Sequence, residues 1–124
     1  MALTVTLLGG ESSGKTSLAQ ALHQHLHHSL QVPSALVTEH LRDWCQTHGR
    51  APLAHEQAER AEVQTQAILQ AAADAAVQVV IADTTAMVIA AYSELYFDDR
   101  TLWPGVIEQQ RRYDLCLLMG LDLP

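Results

Sequence analysis

Apolar and polar positions along the chain alternate between short apolar runs and longer amphipathic stretches. Residues 3 to 8, LTVTLL, form an unbroken β-branched and aliphatic run that stops at Gly9-Gly10, the mark of a buried strand. After a small polar loop, Leu18, Leu22, Leu26 and Leu30 recur every four residues, which predicts a helix with one leucine-lined face. Pro33-Ser34 breaks the chain before a second strand, SALVT, and EHLRDWCQTH then reads as a helix closed by Gly49. A long alanine-rich helix is expected from about residue 54 to 76, with Ala58, Ala61, Thr65, Ile68 and Ala72 on one face. VQVVIAD (77–83) is a third strand, AMVIAAYSELY the helix behind it, DDRTLWPG a loop and VIEQQRR a short helix. YDLCLLMG (113–120) is a fourth strand.

The resulting order, β-α-β-α-α-β-α-α-β, with continuous apolar strands between helices, predicts an α/β three-layer sandwich: a parallel sheet covered on both faces. Neither a linker nor an internal repeat divides it, so residues 1–124 read as one domain. The chain ends at GLDLP, just past the fourth strand and without a closing helix, so it looks truncated there, with an open sheet edge that invites pairing into a homo-oligomer.

Composition changes this picture little. Apolar residues make up 48% and charged residues 17%, a globular balance. The net charge of -7 argues against a nucleic-acid or anionic-membrane partner, since either needs a basic face. Two cysteines, Cys45 and Cys116, with no signal peptide or long apolar segment, fit a reduced, cytoplasmic setting. Cys116, inside LCLLM, is expected to behave as a small buried hydrophobe. His23 and His27 stand one turn apart in HQHLHH, but no third ligand accompanies them, and a solvated histidine face is the expectation.

The chemistry is carried by the first loop. Gly9-Gly10-Glu11-Ser12-Ser13-Gly14-Lys15-Thr16 matches G-x-x-x-x-G-K-[ST], between a strand and a helix as phosphate binding requires. Glycines let backbone N–H groups wrap a phosphate, and the helix N-terminus adds a favourable dipole. Lys15 is expected on the β- and γ-phosphates of ATP and the Thr16 hydroxyl on Mg²⁺, with Ser12, Ser13 and Ser17 as further donors. Asparagine is absent from the chain, so the Asn-Lys-x-Asp segment of a GTPase is too. The third strand ends in VVIADTT, without the adjacent glutamate that a motor ATPase uses to polarise water. A small P-loop kinase remains.

ESSGKT, then TEHLRDW, IADTTAMVIAAY and YDLCLLMGLDLP, in that order and over nearly the whole chain, resemble the nicotinamide riboside kinase domain of bifunctional NAD-biosynthesis regulators and their ATPase relatives. That family typically carries G-x-E-S-S-G-K-[ST], a Glu-x-x-Arg element after the second strand and Asp-Thr-Asp after the third. The resemblance implies a nucleoside-kinase-like P-loop fold, ATP and Mg²⁺ as cofactors, and a nucleoside-like acceptor such as nicotinamide riboside. This sequence departs from it at Thr85, where the family tends to carry a second acid, and shows no arginine-bearing lid before its end.

On this reading Glu39 orients or deprotonates the acceptor hydroxyl, Arg42 contacts substrate or phosphate, and Trp44 stacks on a ring of the substrate. The plainer alternative for Glu39 and Arg42 is a surface ion pair at a helix start. Asp83 is expected to hold Mg²⁺ through water, to act as the base, or to cap the following helix. Whether Glu39 or Asp83 is the base stays open. Tyr92 and Trp103 are further stacking candidates, while Arg111 and Arg112 suit a helix C-terminus. A regulatory module that binds ATP without an acceptor, or a slow ATPase, are the rival functions.

Overall fold

The computed structural model describes residues 2–9 and 14–119. Its elements follow the expected order: β1 (Leu3–Leu8), α1 (Lys15–Gln24), β2 (Ser34–Val37), α2 (His40–His48), α3 (Gln57–Ala73), β3 (Val79–Asp83), α4 (Ala86–Phe97), α5 (Trp103–Gln110) and β4 (Leu115–Leu118). All strand pairs are parallel and the sheet order is β2-β3-β1-β4. β1 is therefore central, and the loop that follows it opens at the C-terminal edge of the sheet, where ligands bind in open α/β folds.

Alternation along the strands sends two sets of side chains to opposite faces. Leu7 and Ile81 pack with Leu18, Ala19 and Leu22 of α1 and with Leu26 just past its end on one side. Val37, Val80 and Ala82 pack with Ile68 of α3 on the other, and a third cluster joins Ala61 to Ala86, Ile89 and Ala90 of α4 and Val106 of α5.

Four expectations need correction. The leucine stripe ends at Leu26, because residues His25–Ser29 form a π turn whose wider i→i−5 bonding rotates the register, and Leu30 is left 57% exposed. The alanine-rich helix buries Gln57, Ala61, Gln64 and Ile68, whereas Ala58 is exposed. Two glutamines can occupy that seam because each finds a partner inside, as where Gln57 Nε2 donates to the Pro52 carbonyl at 3.0 Å. α5 starts three residues earlier than expected, with Pro104 in its first turn, and ends before Arg111. Cys116 is exposed, since β4 is an edge strand whose residues are mostly uncovered. The expected cover on both faces thus fails at β4. Gly120 and the rest of GLDLP lie outside the described residues.

Replacing Ile81, 1% exposed between α1 and the sheet, by alanine should cost about 2–5 kcal/mol in urea unfolding. Leu118→Ala, at a position 79% exposed, should change stability by no more than about 0.5 kcal/mol. A comparable loss at both positions would mean that the β4 edge is covered in solution.

Candidate functional site

The loop closes on Gly14, which adopts a left-handed conformation (φ 80°) open to glycine at little cost, and α1 begins at the next residue. Lys15 thereby becomes the first residue of the helix and points inward, only 6% exposed. A buried ammonium needs charged or hydrogen-bonding partners. It has two: Nζ lies 2.9 Å from Asp83 Oδ1 and 3.4 Å from Glu39 Oε2. Thr16 Oγ1 donates to the other Asp83 oxygen at 2.8 Å, and Arg42 Nη2 donates to the same Glu39 oxygen at 2.9 Å. Five of the residues singled out in the sequence thus meet in one network of two cations, two carboxylates and a hydroxyl.

Each is there for a local reason. Asp83 is the last residue of β3, in register with Leu7 of β1, so its carboxylate is carried to the edge where the loop leaves β1. It does not cap α4: Thr85 does, accepting from Met87 N at 3.2 Å while donating to Gln110 at 2.8 Å. The position where a second acid is common is here committed to the fold. Glu39 stands at the N-cap of α2 but its side chain makes no cap bond, since Lys15 and Arg42 claim it.

A cavity of about 840 Å³ opens beside this network. Its lining combines Gly9, Lys15, Glu39 and Arg42 with Leu41, Leu53, Val88, Tyr92, Tyr96 and Phe97, and with the amides of Gln46 and Gln57. A lining that mixes charged groups with apolar and aromatic side chains suits a small ligand with a polar and a flat part. Cys45 also lines it, and burial together with the nearby Glu39 charge pushes its thiol pKa up, so it presents a neutral wall. Tyr96, Phe97 and Leu53 were not singled out in the sequence, and Cys45 was noted there only for its redox setting. Nothing in their local pattern distinguishes a cavity wall from a core.

Other candidates fall elsewhere. Trp44 is not among the cavity's lining residues; its ring stacks on His48 at 3.9 Å, with the Arg50 and Arg60 guanidiniums 5.1 and 5.4 Å from its centre. Trp103 donates to Glu94 at 2.9 Å and packs against the α3–α4–α5 cluster. Ser17 is exposed on the first turn of α1, and Arg112 only approaches Glu108, at 3.8 Å. Gly10, Glu11, Ser12 and Ser13 lie outside the described residues. His23 and His27 stack at 6.4 Å, and among the described residues no three metal-ligating side chains of His, Cys, Asp or Glu gather. No described helix is long and apolar enough to cross a membrane.

A strand, a glycine-bounded loop and a helix opening on a buried lysine, beside a strand-ending aspartate, define a P-loop nucleotide-binding domain of the kinase-like type. A family model described as an AAA domain matches residues 4–123, and the chain belongs to that family. Among solved structures it is similar to one titled "Crystal structure of NadR protein in complex with NR", with 25% identity and a TM-score of 0.77. That match covers 94% of this chain and 33% of the other, so the chain spans about a third of the length of that NadR chain. No curated protein matches the sequence.

The segment that walls the cavity between α2 and α3 is fastened by Glu56. Its carboxylate takes two bonds from Arg50, at 2.7 and 3.1 Å, and one from Leu53 N at 2.8 Å. The Arg50 bonds first, and the Leu53 bond second, lower its pKa from 4.5 to about 2. A lowered carboxylate pKa stabilises the fold above 4.5 and loses that contribution as pH falls through about 2. A carbon-detected NMR titration should find the Glu56 midpoint near 2, and Arg50→Ala should return it toward 4.5.

Proposed function

We infer that the chain binds ATP with Mg²⁺ and transfers the γ-phosphoryl group to a hydroxyl of a nucleoside-like acceptor, with nicotinamide riboside the acceptor suggested by the similarity to NadR. The observation that carries this reading is the meeting of Lys15, Thr16, Asp83, Glu39 and Arg42 in one network, of which Lys15, Glu39 and Arg42 line a cavity shared with aromatic side chains. The loop would hold the phosphates with its backbone N–H groups, and Lys15 would turn from the carboxylates to the β- and γ-phosphates. The donor set suits a hard cation: the Thr16 hydroxyl and the Asp83 carboxylate are adjacent oxygens, and Asp83 Oδ1 meets the Lys15 ammonium at 2.9 Å, a positive charge that a cation would replace once Lys15 turns to phosphate. Bound there with the phosphates, Mg²⁺ would neutralise charge developing on them.

The acceptor oxygen would form its bond to the γ-phosphorus as the bond to the bridging oxygen of ADP breaks, its proton passing to Asp83 or Glu39. Release of Lys15 toward phosphate leaves one of these carboxylates free to take it. Arg42, half-exposed beside Glu39, would contact acceptor or phosphate. Catalysis of this kind is mainly positioning and charge compensation. Thr85 favours a second reading, an ATP-binding sensor or slow ATPase, because the position that could supply another acid is used as a helix cap.

ATP turnover measured with and without nicotinamide riboside separates them. Acceptor-dependent ADP formation that falls about 10²-fold or more in Lys15→Ala is the expected result. ATP binding without turnover points to the sensor, and phosphate release independent of any acceptor points to the ATPase.

A further inference from the structure

The buried residue with the most consequential bonds lies outside the network. Gln64, in the middle of α3 and 1% exposed, accepts from His40 N at 3.0 Å and donates to the Thr38 carbonyl at 3.2 Å and the Thr84 carbonyl at 3.3 Å. One donor and two carbonyl partners admit a single orientation of the amide, its oxygen on His40 and its nitrogen between the carbonyls. Thr38 and His40 flank Glu39, and Thr84 follows Asp83. A single amide therefore grips the backbone on both sides of one functional carboxylate and immediately after the other.

Thr84 itself is strained. Its φ of 95° is a left-handed conformation that a β-branched residue adopts only when its surroundings impose it, and its buried hydroxyl has no hydrogen-bond partner. The bond from Gln64 and the Thr85 cap hold that turn, which aims the Asp83 carboxylate at Thr16 and Lys15.

We propose that Gln64 is a positioning residue that sets Glu39 and Asp83 relative to each other by clamping the C-terminal ends of β2 and β3, and that part of its work is to hold the strained turn at Thr84. Its consequence for phosphoryl transfer rests on the function proposed above; the clamp itself does not.

Gln64→Met keeps most of the volume and removes the amide. It is compared with wild type and with Gln64→Met/Thr84→Gly, in which glycine accepts the left-handed turn without a clamp. In ligand-free protein, amide exchange should quicken about tenfold or more at 38–40 and 83–85 but not in α5. ATP affinity in the presence of Mg²⁺ should fall about tenfold, with ATP affinity in chelator unchanged. The double variant should recover the Mg²⁺-linked affinity while 38–40 stays loose. Uniformly faster exchange along the chain overturns the proposal, as does an unchanged Mg²⁺-linked affinity in a folded variant that binds ATP. Failure of Thr84→Gly to restore it removes the strained turn from the account. Wild-type protein that binds no ATP refutes the proposed function, and the exchange pattern still decides the clamp. Should Gln64→Met not fold, Gln64→Glu is read the same way, since it keeps the acceptor for His40 and leaves at most one donor for two carbonyls.

Discussion

An ammonium group held away from water between two carboxylates is the contact around which the chain is arranged. Lys15 comes from the first turn of α1, Asp83 from the end of β3 and Glu39 from the start of α2. None of these charges would be stable in that place alone. The pairing of Leu7 with Asp83 puts both side chains on the α1 side of the sheet, and a slip of one residue between β1 and β3 would send the carboxylate to the opposite face. Strand register and charge pairing thus enforce each other.

The same arrangement borders the adjoining cavity. Its lining sets the balanced charges of Lys15, Glu39 and Arg42 beside aliphatic side chains and the rings of Tyr92, Tyr96 and Phe97. The Cys45 thiol, which also lines it, has its pKa raised by burial and by Glu39, so it adds no negative charge to the cavity.

Much of this was legible in the sequence where one residue type leaves few choices. G-x-x-x-x-G-K-[ST] after an apolar run dictates strand, loop and helix, and the strands and helix order followed from period alone. The lysine and threonine could be named from that motif, Asp83 from its place at the end of an apolar strand, and Glu39 mainly from the resemblance to the kinase family. Tertiary demands were hidden. Gln64 carries no mark in the sequence, and its role shows only where the strand ends supply its partners; Leu30 left its stripe because of a π turn, and Trp44 found neighbours on α2 and α3 instead of the cavity. Those outcomes depend on contacts between segments far apart in the chain, which local periodicity does not encode.

The strand order β2-β3-β1-β4 also dictates when the molecule can assemble. β1 is made first, yet its two neighbours begin at Val79 and Leu115, and its own register pairs Leu3 with Val79, so it gains no sheet partner until most of the chain exists. At ribosomal rates that separation corresponds to roughly 4–15 s of waiting. During this interval an apolar strand stands without edge partners, with α1, which follows it directly, the first element available to cover its side chains. Such non-local closure slows folding and leaves the nascent chain open to pairing with others. β1, which leads into the phosphate loop, completes its pairing only once β4 is made.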